Sequence, residues 1–167
     1  MRHQVGIIGA LTLAGALLGS ALAPAPAAAA GRMEFELPTL SGRDFIKLDD
    51  FAGRPILINV WGTECPPCII ETPLLTAQSQ IYKNVQFLGI GTDERVASLL
   101  FVNRFHVQYP QLQAPQDPTG LLRRLGDPDG ALPFTVVLDT KHRVCASRHG
   151  AVDAGWIATT VRKCAAD

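Results

Sequence analysis

Two cysteines three positions apart carry the clearest chemical signal in this sequence. Cys65 and Cys68 lie in the stretch ILINVWGTECPPCIIETP at residues 56–73, and two thiols at that spacing can alternate between a dithiol and a disulfide. The apolar residues Ile56, Leu57, Ile58 and Val60 bracket Asn59 and read as a buried strand ending near Trp61. A helix is expected to follow at once. Cys65 falls at the strand-to-helix turn, Pro66 and Pro67 occupy first-turn positions that tolerate a fixed φ and a missing N–H, and Cys68 lies one turn inside. Cys65 is thereby placed at an exposed tip with Cys68 behind it. A helix N-terminus favours negative charge, so it stabilises the Cys65 thiolate, the nucleophile of disulfide exchange. On this reading Cys65 attacks, Cys68 resolves, and the pair itself is the redox group, with no metal and no other cofactor.

Cys145 and Cys164 form a second pair with a different meaning. One falls in an expected edge strand and the other in the last turn of a closing helix. The simplest reading is a structural disulfide, worth about 3 kcal/mol for a loop of about 20 residues in the chain-entropy model. Two unpaired buried thiols are the alternative, should strand alternation point Cys145 to the wrong face. His106, His142 and His149 share no ligand spacing and read as surface residues at loops and element ends. Gly89-Ile90-Gly91 lacks a following Gly-Lys pair and is not a phosphate loop.

The elements that must position the cysteines begin after residue 30. Residues 1–30 read as a targeting segment: Arg2 and His3 form a short polar start, Val5 to Leu22 is an almost unbroken apolar run, and APAPAAAA offers small-residue cleavage sites. Cleavage is the favoured reading, with a retained N-terminal membrane anchor as the alternative, since the run is just long enough to span a bilayer. Either way the folded part is exported, to a compartment where disulfides persist. Of 15 basic residues only Arg2 lies in that segment, so the remainder carries 14 against 15 acidic ones. With that balance, no basic block and no long charge run, nothing points to a nucleic-acid partner.

Residues 31–167 read as one α/β domain. Phe35–Pro38 and Phe45–Leu48 form a short hairpin, Asp50–Pro55 a turn into the central strand, and the helix after the cysteines runs to about Gln80, kinked by Pro73. Val85–Ile90 is the next buried strand, and Val96, Leu99, Leu100, Val102 and Phe105 support a helix from Glu94 to about His106. Residues 107–117 read as loop, Thr119–Leu125 as a short helix closed by Gly126, Phe134–Leu138 as a strand, Arg143–Ser147 as its edge partner, and Asp153–Cys164 as a capped closing helix.

With this order the chain resembles the thioredoxin superfamily, and within it the exported TlpA/ResA-type and DsbE-like thiol–disulfide oxidoreductases, over residues 34–164. Three stretches carry the resemblance: LDDFAGR leading into NVWGTECPPC, the continuation with Glu71 and Pro73, and LPFTVVLD at 132–139. It implies a three-layer fold with a central mixed sheet flanked by helices, an N-terminal β-hairpin extension and a central αβ insert. It also implies a cis Leu132–Pro133 bond facing the cysteines. Leu132, Pro133, Pro66 and Pro67 are the candidate substrate-binding residues together with Trp61, which by position is expected both to pack over the disulfide and to fill the core. A cis X-Pro step exposes the backbone of Leu132 for strand-like pairing with a bound thiol protein, while proline leaves no orphan donor.

The resemblance further implies an acid beside the disulfide, which position assigns to Asp93 with Glu94 as a near neighbour. A carboxylate there could relay the Cys68 proton if burial raised its pKa; equally, Asp93 could cap the helix with Glu94 in its first turn. Glu71 reads first as a solvated helix residue and second as a proton handler. Two departures stand out. Glu64 replaces the usual aromatic before the first cysteine, opposing thiolate formation and disfavouring acidic partners. Ile69 and Ile70 replace the usual basic residues, forming an apolar rim or packing inward.

The implied function is an extracytoplasmic dithiol–disulfide enzyme acting on protein thiols as a reductant, in cytochrome c maturation or copper-site assembly. Its partners would be an upstream membrane electron donor and a downstream disulfide client, and it would act as a monomer. Because Pro66 and Pro67 offer the Cys65 sulfur no N–H, the couple is expected near thioredoxin's potential of about −270 mV, away from the oxidising extreme near −120 mV. Two other readings remain. The FELPTL…GRPILINVW lead-in is shared with peroxiredoxin-like peroxidases, although their single attacking cysteine with distant resolution fits the CxxC poorly. A copper-carrying thiol module is the third, although no histidine or methionine stands near the pair in sequence.

Overall fold

The computed structural model describes residues 31–166, so the targeting segment expected at 1–30 lies outside them. A hairpin of β1 (Glu36–Pro38) and β2 (Phe45–Lys47) comes first, followed by a 3-10 turn at Leu48–Phe51. The body is β3 (Ile56–Trp61), α1 (Pro66–Ile81), β4 (Gln86–Gly91), α2 (Arg95–Arg104), β5 (Gln111–Gln113), α3 (Thr119–Leu125), β6 (Phe134–Leu138), β7 (Val144–His149) and α4 (Ala154–Ala165). The five-stranded sheet has the order β5-β4-β3-β6-β7. β3 runs parallel to β4 and antiparallel to β6, which makes the sheet mixed.

β3 is buried along its whole length, and its alternation divides the core in two. Ile56, Ile58 and Val60 face Leu48, the hairpin's Leu37 and the α3 residues Leu121, Leu122 and Leu125. Leu57 faces Leu75 of α1 and Ile157 and Val161 of α4. A strand covered on both faces has no solvent side, which is why its sequence is apolar at every position but Asn59, whose amide is hydrogen-bonded inside the core. α1 buries Cys68, Glu71, Thr72, Leu75 and Ser79, one face at helical spacing, and continues through Pro73 at its exposed side.

The expected layers, hairpin and αβ insert are present, with two differences in detail. Residues 107–117 contain β5, which lies parallel to β4 at the sheet edge in the register Gly89↔Gln111. Only Leu112 of this strand is fully buried, so three residues among prolines and glutamines give no alternation to read. α2 stops at Arg104, and His106 turns the chain with φ 49°. The four-residue turn at Asp139–His142 is closed by the Asp139 carboxylate, which accepts the Lys141 and Arg143 N–H groups.

Between Val137 and Leu138 the pairing of β6 with β7 slips, so that Val137 faces Ala146 and Leu138 faces Val144. This bulge breaks the alternation, and Cys145 and Ala146 both pack on the α1/α4 side. Cys145 there forms a disulfide with Cys164 of α4, with Cα atoms 5.8 Å apart. Replacing both residues by alanine is expected to lower unfolding stability by about 3 kcal/mol. Urea unfolding in oxidising buffer measures this, and an unchanged midpoint would mean the bridge adds nothing.

Candidate active site

Cys65 ends the loop after β3 and caps α1, with φ −94° and ψ 105°. Pro66 and Pro67 fill the first two helical positions, so Cys68 supplies the first N–H of the helix and donates it to Cys65 Sγ at 3.3 Å. The two cysteines form a disulfide with Cα atoms 5.2 Å apart. Cys65 is half-buried and Cys68 fully buried. Glu64 and Pro66 are exposed on either side of Cys65, and no opposing cation lies within ion-pair distance of Glu64 among the described residues.

Behind the disulfide, Trp61, Cys68, Leu40 and Phe101 form a small apolar cluster on which Cys65, Ile69 and Leu132 pack. Trp61 is 2% exposed, stacks on Phe101 at 4.6 Å between ring centroids and donates its Nε1–H to Gln111 Oε1 at 3.0 Å. The indole thus fills the core and packs behind the disulfide, the two places its position suggested, and at 2% exposure it leaves almost no surface for the substrate contact also assigned to it. Gly89 and Gly91 make this arrangement sterically feasible. A Cβ at Gly89 would sit 2.0 Å from Gln111 Oε1, and one at Gly91 would sit 3.1 Å from the indole. Ile69 packs inward while Ile70 stays 75% exposed, so the two isoleucines divide the roles foreseen for them.

The Leu132–Pro133 peptide is cis, Pro133 is buried and Leu132 half-buried. A Cβ at Gly62 would lie 3.2 Å from Leu132 Cδ1, so the proline loop and the cysteine loop approach closely where glycine leaves room. Leu132 makes no backbone hydrogen bond among the described residues, and its N–H and C=O remain free.

The three acids part company. Asp93 does not cap α2; its carboxylate accepts the Thr63 N–H and braces the loop two residues before Cys65. Glu94 stands at the N-cap of α2, exposed and without a capping bond. Glu71 is 2% exposed, which corrects its reading as a solvated helix residue. It shares the buried face of α1 with Cys68, and its position three residues after Cys68 and four before Leu75 is the signal in the sequence for that burial. Its Oε1 accepts the Asn59 amide at 2.8 Å, and its Oε2 accepts the Val152 N–H at 2.8 Å. Asn59 also donates to Thr135 Oγ1, its cross-strand neighbour, at 3.0 Å.

These partners of Glu71 were not foreseen, although an amide inside an apolar strand marks a buried polar contact. His142, expected at the surface, is 1% exposed beneath the 3-10 turn. Among the described residues no three His, Cys, Asp or Glu side chains group closely enough to hold a metal ion.

Burial pushes the Glu71 carboxyl above its ordinary range, against the opposing pull of the Val152 N–H, the Asn59 amide and the charge of Arg148. A folded-state pKa raised above the unfolded value favours the native state while the group is protonated, and that contribution is lost as pH rises through the folded pKa. Glu71→Gln removes the ionisation but leaves one of the two donors without an acceptor. The stability of the wild type relative to this variant is therefore expected to fall as pH rises from 4 to 8, which urea unfolding at each pH measures. A constant difference would contradict it.

A family model described as the AhpC/TSA family matches residues 30–160. Thiol:disulfide interchange protein DsbE of Pseudomonas fluorescens biotype C is 34% identical over 120 residues, covering 71% of this chain and 65% of that protein. Thiol-disulfide oxidoreductase ResA of Geobacillus thermodenitrificans (strain NG80-2) is 32% identical over 114 residues, covering 66% of this chain and 63% of that protein. The chain thus spans a little under two thirds of the length of these two curated relatives. A solved thiol:disulfide interchange protein of the thioredoxin family from Chlorobium tepidum TLS matches with a TM-score of 0.70 at 21% identity, over 80% of this chain and 94% of that one. The fold is accordingly thioredoxin-like, and the chain belongs to the AhpC/TSA family.

Proposed function

We propose that this protein is an extracytoplasmic thiol–disulfide oxidoreductase that passes electrons from its Cys65/Cys68 dithiol to disulfides of client proteins. The observation that carries this reading is the disulfide at the start of α1, its outer sulfur half-buried and its inner one enclosed. In the reduced protein the Cys65 thiolate attacks one sulfur of a client disulfide. A Cys65–client bond forms, the client's own bond breaks, and the client's other sulfur leaves as a thiolate. Cys68, deprotonated, then attacks Cys65 Sγ and expels the second client thiolate. Two electrons and two protons have moved to the client, and Cys65–Cys68 is oxidised.

Glu71, raised in pKa and on the helix face that carries Cys68, is the acid we assign to taking up the Cys68 proton. Asp93 braces the Cys65 loop, and exposed Glu94 is the weaker candidate for the relay. Pro66 and Pro67 with Leu132 and Pro133 frame the docking surface, where the free backbone groups of Leu132 pair with an extended client segment. The partners in this reading are thiol and disulfide proteins: a membrane electron donor that restores the dithiol, and a client of the cytochrome c maturation or copper-site assembly type. Residues 1–30 would serve as signal peptide or anchor, and the domain would act as a monomer.

A peroxidase reading requires one attacking cysteine resolved from a distance. Here the resolving sulfur sits three residues away and is already bonded to the first. Insulin reduction measured against peroxide consumption separates the two, and copper titration of the reduced protein tests the carrier reading.

Cys68→Ser is expected to leave mixed disulfides stalled on Cys65, identified by mass spectrometry of the captured species, whereas Cys65→Ser captures nothing. Equal capture by both variants would remove Cys65 from the attacking role. With a single N–H at Cys65 Sγ and Glu64 beside it, the couple is expected near about −270 mV. Equilibration with dithiothreitol buffers measures it, and a value above about −180 mV would overturn the reductant assignment.

A further inference from the structure

The loop from Gly126 to Pro133, which leads from α3 into β6, holds a buried acid that the exchange chemistry leaves unused. Asp127 is 1% exposed. Its Oδ1 accepts the Gly130 N–H at 2.9 Å and lies 3.7 Å from Nδ1 of His149. Its Oδ2 is buried with no hydrogen-bond partner among the described residues. A carboxylate withdrawn from water with part of its acceptor capacity unfilled is costly unless a cation stands beside it.

His149 can supply that cation. It ends β7 at the sheet edge, paired in register with Phe134, and its ring centroid lies 4.8 Å from that of Phe134. The other charges nearby are engaged elsewhere or solvated. Arg148 pairs with Asp153 at 3.1 Å and lies over the Trp156 ring, Phe134 carries no charge, and Asp129 in the same loop is exposed. Among the described residues, Asp127 is the one acid within ion-pair distance of His149.

The position of this pair gives it a consequence. Asp127 holds the front of the loop through Gly130, whose φ of 67° glycine adopts without strain. The Gly150 N–H, next in sequence to His149, holds the back by donating to the Pro133 carbonyl at 2.9 Å. Between these two attachments lies Leu132 with its unpaired backbone.

We propose that Asp127 and His149 form a proton-dependent clamp that sets the position of the Leu132 backbone, which makes His149 a positioning residue for protein disulfides. The docking role of this clamp rests on the oxidoreductase reading above; the clamp itself does not. With the imidazole protonated, the buried charge of Asp127 is met and the loop is held. With the imidazole neutral, the carboxylate keeps only the Gly130 N–H and the grip loosens.

Amide hydrogen exchange of Gly130, expressed as a protection factor, reads the clamp directly across pH 5.5 to 8.0, the window in which imidazoles change charge. A fall of about threefold is expected in the wild type, the size of a partly exposed ion pair, and none in His149→Gln or Asp127→Asn. Should Asp127→Asn fail to fold, His149→Gln at its half-exposed site carries the test. The same pH dependence in wild type and His149→Gln overturns the clamp.

Docking is read from the half-saturating insulin concentration in reduction by the dithiol protein, taken relative to hydroxyethyl disulfide, which has no peptide backbone to dock. In the wild type that ratio is expected to rise about threefold over the same pH range and in His149→Gln to stay flat, with maximal rates in step. A ratio that moves equally in both proteins overturns the positioning role. Failure to reduce either disulfide overturns the oxidoreductase reading and the docking role with it, while the Gly130 amide still decides the clamp.

Discussion

Everything at the candidate site depends on the junction of β3 with α1. β3 is enclosed on both faces and hydrogen-bonded on both edges, so its end at Trp61 is fixed, and only four residues separate it from the start of the helix at Pro66. That short connection leaves Cys65 nowhere to go but the rim of the sheet. The prolines at the first two helical positions then remove donors that would otherwise crowd around its sulfur. One N–H, from Cys68, remains. The reactivity expected of Cys65 thus follows from backbone chemistry at a single helix end, reached from a strand that cannot shift.

A second constraint runs through the core. Asn59 on β3, Thr135 on β6, Glu71 on α1 and the backbone of Val152 before α4 are tied by three hydrogen bonds of 2.8 to 3.0 Å. Such a network is favourable only when its members are satisfied together. Both oxygens of Glu71 have donors, and the network links the helix that carries the cysteines to the two central strands and to the start of the closing helix. Burial of an acid beneath the site and rigidity of the site are therefore the same structural fact.

Much of this was legible in the sequence, and the reasons differ by residue. The apolar run at 56–60, the cysteine spacing and the proline pair fixed the site because each has few conformational alternatives. The Asp153 cap, whose carboxylate accepts the Trp156 N–H at 2.8 Å, and Gly126, with φ 101°, marked helix ends through local chemistry. β5 escaped notice because its strand character comes from pairing with β4 and not from its own three residues. Glu71 and His142 were misread for another reason: charge suggests solvent, whereas the partners that make burial tolerable lie as far as 81 and 91 residues away in sequence. Trp61 was legible by position as a residue packing over the disulfide and into the core, and the two glycines beneath it are what let it sink so far that little is left for a bound chain.

The two sulfur–sulfur bonds close rings of very different size. Cys65 and Cys68 are three residues apart, while Cys145 and Cys164 are nineteen apart. Conformational freedom released on cutting a cross-link grows with the segment it encloses. Opening the small ring liberates almost no chain, while the large one keeps the final strand and helix stapled throughout. Making or breaking the Cys65–Cys68 bond therefore confines or frees very little chain, whereas the Cys145–Cys164 bond governs the freedom of the whole C-terminal hairpin arm and helix.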